Sequence, residues 1–159
     1  MSKAHIYRSQ LVWDGNLGTG TATYAGYARD FTLSTNGKPP IHGSADAMFR
    51  GNPSLHNPED LFLAAISSCH MLSYLALCAR KGVTIIAYED DATASLALDA
   101  SYEGKFDQVM LNPVVTVANA DQAELARTLH EGAHRTCYIA SSCSVPIHHN
   151  VSIRVAADS

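Results

Sequence analysis

The sequence is poor in charged residues. Asp, Glu, Lys and Arg make up 16% of its 159 residues, compared with about 25% in an average soluble domain. So few charges indicate that part of the surface is covered by a partner subunit. The sequence also lacks a cluster of Lys and Arg, and its formal net charge is −4. This balance argues against nucleic acid as a partner, because phosphate binding needs a basic patch.

No apolar segment of the secretory type is visible near the start, so a signal sequence is not expected. The stretch Leu61–Ala79 has 19 residues without Asp, Glu, Lys or Arg, which is long enough to span a bilayer. Its serines and its histidine, and the amphipathic patterns on both sides, instead predict the buried central helix of a soluble protein. We therefore expect a cytoplasmic protein with no membrane partner and reduced cysteines.

The apolar periodicity predicts one α+β domain over residues 1–159, with mainly antiparallel sheet. The length suits a single core that needs no disulfide or structural metal. A long loop rich in Gly, Pro and Asn is predicted at 36–57. Strands are predicted at 5–14, 19–35, 83–100, 104–118 and 147–156.

Two helices are predicted between these strands. The first covers about 58–81, with Asn57 as its cap, Asp60 closing a capping-box-like pattern and Gly82 as its stop. The second begins at Asp121, where Glu124 would close a capping box. Its apolar stripe is predicted to contain Leu125, Leu129, Ala133 and Cys137.

The cysteines have an ordinary interpretation when each is taken alone. Cys69 near the middle of the first helix, Cys78 near its end and Cys137 on the second helix would all suit small buried side chains. Reactive thiols are the alternative, and composition does not decide between the two.

Two motifs resemble those of the OsmC/Ohr family. The first is the run 57–70, NPEDLFLAAISSCH, and the second is 133–137, AHRTC, followed by YIAS. The order of elements and the length also fit, so the resemblance covers nearly the whole chain. It implies a thiol-dependent peroxidase that reduces organic hydroperoxides. It also implies an OsmC-like fold, in which sheets wrap around a long central helix and two chains form an intertwined homodimer.

The resemblance further implies roles for particular residues. Cys69 would be the thiolate that attacks the peroxide, and Cys137 would be the resolving thiol. Glu59 matches the family's active-site glutamate. Arg50 resembles the loop arginine of OsmC-type members, and Arg29 resembles the strand arginine of Ohr-type members. We prefer Arg50 as the activating group, because an arginine on a long loop can close over a site.

The expected chemistry uses side chains alone. Attack on the peroxide leaves a sulfenic acid on Cys69, and Cys137 condenses with it to a disulfide. An external dithiol then reduces the disulfide, so no metal, flavin or haem is required. Two departures from the family pattern stand near the second cysteine. Tyr138 takes the place of a frequent proline, and Cys143 is an extra thiol that leaves the resolving role open to a second candidate.

Helix geometry adds an inference about assembly. On one unbroken helix, Glu59 and Cys69 would be about 15 Å apart along the axis and could not touch. Two antiparallel copies that cross near Ala64 would bring Glu59 of one chain towards Cys69 of the other. The small residues around the crossing permit close approach. The sequence therefore predicts an obligate homodimer with two composite sites.

Two alternatives remain. His130-Glu131-Gly132-Ala133-His134 matches the H-E-x-x-H pattern of zinc hydrolases. Its third ligand would be Cys137, His148 or His149. We interpret the pattern instead as a helix whose exposed face carries histidines, and we assign no catalytic role to His70. A redox-sensing or binding module without enzymatic activity is the other alternative, because fold does not fix function.

Overall fold

A computed structural model describes residues 4–157. Its α-helices span Pro58–Arg80 (α1), Ala123–Thr136 (α2) and Tyr138–Ser141 (α3). Its strands span Gln10–Trp13 (β1), Phe31–Ser34 (β2), Ile41–Gly43 (β3), Ile85–Asp90 (β4), Thr93–Leu98 (β5), Gly104–Leu111 (β6), Pro113–Val117 (β7), Ile147–His149 (β8) and Ser152–Val155 (β9). The predicted α+β class is confirmed. The chain divides into two compact units, Met1–Phe62 and Leu63–Ser159.

The first unit contains an antiparallel sheet in the order β1–β2–β3. In its register Leu11 faces Leu33, and Leu33 faces Ile41. The first two strands are shorter than predicted, because residues 14–30 form a connection rich in turns, with two glycines at positive φ. β3 is a second correction, since it lies within 36–57, the segment predicted to be a loop.

The first helix begins and ends where the sequence predicts. The N–H of Asp60 donates to Asn57 Oδ1 at 2.7 Å, and the N–H of Asn57 donates to the Asp60 carboxylate at 3.3 Å. These two bonds close the capping box. At the other end Gly82 has a φ of 73°, and the N–H of Val83 donates to the carbonyl of Cys78 at 2.9 Å. This is the Schellman pattern of helix termination.

The second unit contains sheets in the orders β4–β7–β9 and β5–β6–β8. In each of them the first pair of strands is antiparallel and the last strand is parallel to its neighbour. The long strands predicted at 83–100 and 104–118 are therefore wrong, because each stretch leaves one sheet and enters the other. The predicted strand 147–156 is divided between the sheets in the same way, as β8 and β9.

The crossing between the two sheets is fixed by side-chain hydrogen bonds. The N–H of Asn112 donates to the Asp90 carboxylate at 2.7 Å, and its side-chain amide donates to the carbonyl of Asp91 at 2.8 Å. These bonds satisfy backbone groups where the ladders are interrupted. Alternation of apolar residues continues across the break, which is why periodicity alone does not reveal it.

α1 buries one side and leaves the other uncovered. The buried side is a stripe with a spacing of four residues: Ile66, His70, Tyr74 and Cys78. The hydroxyl of Tyr74 donates to the carbonyl of Ala126 on α2 at 3.0 Å, and Val115 and Val117 of β7 belong to the same core. On the other side Leu72 is 62% exposed. By length and composition α1 could cross a membrane, and 22% of its apolar window is buried. The prediction of a buried central helix thus holds for one face.

α2 differs from its prediction at the start and along its apolar face. A 3-10 turn at Ala120–Gln122 precedes it, and the predicted capping box is wrong. Gln122 instead accepts a hydrogen bond from the N–H of Thr84 and donates to the carbonyl of Gly82, both at 3.1 Å. Leu125 is exposed rather than buried. The buried face contains Ala126, Leu129, His130 and Ala133.

Candidate functional site

Cys69 lies on the uncovered side of α1, half-exposed in an open cavity. The cavity has a volume of about 560 Å³. Its walls are mostly apolar or small, with Arg80 as a charged group: Ala65, Ser68, Leu72, Ser73, Ala76, Arg80, Thr136, Tyr138 and Ile139. Tyr138, the departure noted in the sequence, is thus a wall residue of this cavity. A thiol in such a position is accessible to a small molecule with an apolar group.

Cys137 is buried at the junction between α2 and α3. It ends α2 with an extended backbone, and its Sγ accepts a hydrogen bond from the N–H of Ala140 at 3.4 Å, which caps α3. The prediction that Cys137 ends the buried stripe of α2 is confirmed, since its side chain has no exposed surface.

The thiols of Cys69 and Cys137 are close enough to interact. Burial, together with the neighbouring Cys69 thiol, raises the pKa of the Cys137 thiol to about 11, against the opposing effect of the Ala140 amide. At neutral pH Cys137 therefore keeps its proton. The structure thus brings together the two cysteines that the motifs single out, 68 positions apart in sequence.

All four cysteines are free thiols. Cys78 lies in the core of the second unit, and burial raises the pKa of its thiol, so the interpretation of Cys78 as a small buried side chain is confirmed. Cys143 is half-buried just after α3. Its role stays open.

Arg29 is held by its own neighbourhood in the first unit. Its guanidinium donates to the carbonyls of Tyr27 and Tyr24 at 2.5 and 2.6 Å. It also lies over the rings of both tyrosines, at 4.0 Å from the centre of Tyr27 and 4.5 Å from that of Tyr24. Hydrogen bonds and cation–π contact together fix this side chain in one position.

Glu59 stands in the first turn of α1, and its Oε2 is buried without a hydrogen-bond partner among residues 4–157. It lines a cavity of about 300 Å³ in the first unit together with Arg29 and an aromatic wall: Trp13, Tyr27, Phe31 and Phe49. An unpartnered carboxylate oxygen is costly to bury. This position therefore suits a cationic or hydrogen-bond-donating group that approaches Glu59.

Arg50 is exposed and does not line that cavity. It terminates the 3-10 turn at Ala47–Phe49 in the left-handed region, with a φ of 65°. Within residues 4–157 its guanidinium has no ion pair. The structure thus brings Glu59 together with Arg29, and it leaves Arg50 apart from both.

The interpretation of the HEGAH pattern as an exposed face is wrong. His130 is 3% exposed, because its ring stacks on Tyr74 at 3.8 Å between centres and its Nδ1 is hydrogen-bonded to His70 Nε2 at 3.0 Å. His70 is therefore a core histidine with a partner. Residues 4–157 contain no group of three His, Cys, Asp or Glu side chains arranged to hold a metal ion, so the zinc alternative lacks a ligand set there.

Sequence reasoning missed the burial of His130 and the partial burial of His149. For His130 the available signal was its spacing of four residues from Ala126 and three from Ala133, which are both buried.

Comparison with known proteins adds a family and several structures. The profile of the OsmC-like protein family matches residues 51–152. An OsmC-like protein of unknown function from Vibrio cholerae is 25% identical, with a TM-score of 0.82 over 93% of this chain and 99% of that one.

Two organic hydroperoxide resistance proteins share the fold. The one from Elizabethkingia anophelis is 14% identical, with a TM-score of 0.69 over 98% of this chain and 100% of its own. The one from Legionella pneumophila is 16% identical, with a TM-score of 0.63 over 95% and 99%. No curated protein matches the chain in sequence.

Proposed function

The chain belongs to the OsmC-like protein family, and from this membership we propose a peroxide-related redox role, specifically that of a thiol-dependent peroxidase acting on organic hydroperoxides. The observation that carries the proposal is the proximity of the half-exposed Cys69 to the buried, protonated Cys137. Cys69 is accessible to a substrate, and Cys137 is positioned to react with Cys69 once that thiol is oxidised. Hydrogen peroxide is a second possible substrate of the same chemistry.

The proposed cycle balances without a cofactor. The thiolate of Cys69 attacks the distal peroxide oxygen, the O–O bond breaks, and the alkoxide takes a proton and leaves as the alcohol. Cys69 is then a sulfenic acid, and the sulfur of Cys137 displaces its hydroxyl as water to form a disulfide. An external dithiol reduces that disulfide by exchange and is itself oxidised.

A positive charge near Cys69 would favour the thiolate. The cavity that Arg29 shares with Glu59 supports this pair as the activating group, since both charged side chains line the same wall. The preference for the loop residue Arg50 stays a prediction. Substitution of each arginine in turn distinguishes the two proposals.

We extend the proposal to a homodimer in which Glu59 of one copy serves Cys69 of the other. The uncovered apolar face of α1, with Leu72 at its centre, supports a second copy as its cover. Sedimentation over a range of concentrations tests this: we expect a dimer whose activity is lost on dissociation. A fully active monomer would contradict the composite site. The cytoplasm is the proposed location, because its dithiols could complete the cycle.

The decisive experiment is a turnover assay with tert-butyl hydroperoxide and dithiothreitol, followed by mass spectrometry of the oxidised chain. We expect many turnovers per chain and a Cys69–Cys137 disulfide when the dithiol is withheld. Formation of the disulfide without repeated turnover would support the redox-sensing alternative. If peroxide leaves both thiols unchanged, the peroxidase proposal is wrong.

A further inference from the structure

Four histidines from three elements meet inside the second unit. We name His70 of α1, His130 and His134 of α2 and His149 of β8 the histidine cluster. Besides the hydrogen bond between His70 and His130, the ring centres of His70 and His149 are 4.4 Å apart, and those of His134 and His149 are 5.0 Å apart. His70 is 1% exposed. The cluster therefore joins α1, α2 and β8 through imidazole contacts.

Among the described residues, the cluster offers no hydrogen-bond acceptor for the N–H that protonation would add. His130 Nε2, His134 Nδ1 and His149 Nε2 are buried without hydrogen-bond partners among the described residues. A neutral imidazole needs one acceptor for its single N–H, whereas an imidazolium needs two. A proton added to any one of these rings would leave a buried N–H unpaired, and protonation of two neighbouring rings would also place like charges close together.

The charges around the cluster work mostly in the same direction. Arg127 of α2, whose guanidinium donates to the carbonyl of Val151 at 2.8 Å, and His148 of β8 disfavour a further positive charge. Asp90 of β4 opposes them by favouring the charged form of His149. The Asp90 carboxylate already accepts hydrogen bonds from the Ser67 hydroxyl and the Asn112 N–H, so it is not free to rotate towards the cluster.

Glu131 and Arg135, which carry opposite charges on α2, line the cavity on the outer side of the cluster. Burial, with a smaller contribution from the neighbouring histidines, lowers the pKa of His70 to about 3. Burial also lowers the pKa of His130 to about 4. Both rings are therefore neutral at pH 7.

We propose that the histidine cluster is an acid-sensitive latch, which when neutral holds α2 against α1 and keeps Cys137 in contact with Cys69, and which opens on protonation. His70 follows Cys69 directly on α1, and Cys137 comes one helical turn after His134 on α2. Separation of the two helices at the cluster therefore separates the two thiols. The consequence for turnover rests on the proposed peroxidase function, whereas the opening itself does not.

The test measures the accessibility of Cys137 without any peroxide. The Cys69→Ser chain, which cannot form the Cys69–Cys137 disulfide, is alkylated with N-ethylmaleimide, and mass spectrometry gives the rate at each cysteine. The rate for the same chain unfolded in urea at the same pH removes the intrinsic effect of pH on thiol reactivity. The ratio of the two rates is the protection of each thiol. Cys78 in the core reports global unfolding.

We expect the protection of Cys137 to fall at least tenfold from pH 7.5 to pH 5.0 while Cys78 stays protected. The double substitution His70→Phe/His130→Phe keeps two stacked rings and removes both partners of their hydrogen bond, so it should abolish the pH dependence. If that chain does not fold, His149→Asn on half-buried β8 serves instead and should reduce the fall at least threefold. His5→Asn in the first unit is exposed and outside the cluster, and it should change nothing.

Equal protection of Cys137 at both pH values would overturn the latch. So would a fall that persists in the substituted chains, or a parallel loss at Cys78, which would mean global unfolding. Acid exposure of Cys137 in a protein that turns over no peroxide would leave the latch in place and overturn only the peroxidase proposal.

Discussion

Two cavities of the second unit have similar volumes and contrasting chemistry. The thiol cavity, about 560 Å³, has Cys69 on a largely apolar wall, and the histidine cavity, about 580 Å³, is lined by imidazoles and charged side chains. The sequence points to the first through its motifs. It wrongly predicts an exposed face at the second, because the role of a histidine depends on whether its side chain is buried. Reactive residues are thus easier to find in a sequence than buried polar clusters.

The largest expected effect concerns the thiol cavity. Cys69→Ser should lower hydroperoxide turnover at least about 1,000-fold, since it removes the attacking thiolate. Turnover is measured with tert-butyl hydroperoxide and dithiothreitol. Cys78→Ala is the control for loss of a buried thiol from the same helix and should retain most of the activity. Equal activity in Cys69→Ser and wild type would remove the functional distinction between the two cavities.

The next effect separates the two candidate arginines of the first unit. If the cavity shared with Glu59 marks the activating group, Arg29→Gln should lower kcat/KM about 100-fold, the scale of losing one electrostatic donor. Arg50→Gln should then change kcat/KM less than threefold. The reverse order would support the exposed loop arginine that the sequence favours.

The histidine cavity should make the free energy of unfolding depend on pH. A histidine titrates near 6.5 when unfolded, whereas His70 and His130 in the fold have pKa values of about 3 and 4. Between these limits the unfolded chain binds more protons, so stability is complete above pH 6.5 and falls as the pH drops. We expect a loss of about 2 kcal/mol or more between pH 7 and pH 5. Urea unfolding at both pH values measures this loss.

An equal free energy of unfolding at pH 7 and pH 5 would show that the histidines of the cluster are not buried in their neutral form. His5→Asn should leave the pH dependence unchanged, because this side chain is exposed and lies outside the cluster.

The smallest expected effect is that of the extra thiol. Cys143→Ser should change turnover less than twofold, since Cys137 is the cysteine that interacts with Cys69. Peptide mapping of the oxidised chain should still find the Cys69–Cys137 disulfide. A disulfide between Cys69 and Cys143 in the wild type would instead give Cys143 the resolving role.

The limits of prediction differ between elements for identifiable reasons. α1 was predicted almost to the residue, because Asn57, Asp60 and Gly82 act through local hydrogen bonds and backbone conformation. The breaks at Asp91 and Asn112 were missed, because a change of sheet depends on distant strands and leaves the alternation intact. The contact of Cys69 with Cys137 agrees with the expectation from the family motifs. Local sequence patterns do not predict it, because the two residues are 68 positions apart.

The buried face of α2 shows the same limit. Hydrophobicity alone selected Leu125, whereas the structure buries His130 because its ring stacks on Tyr74. A polar residue enters a core when specific partners receive it, and here the partners Tyr74 and His70 stand 56 and 60 positions earlier in the chain.

The sulfur of Cys137 also contacts the backbone of α3, which takes no part in the proposed chemistry. It accepts a hydrogen bond from the N–H of Ala140 and so caps the first turn of α3. Any covalent change at this sulfur redistributes the lone pair that the amide uses. The Ala140 amide resonance is consequently a built-in spectroscopic readout of the oxidation state of the protein, visible without a label and without reading the thiols themselves.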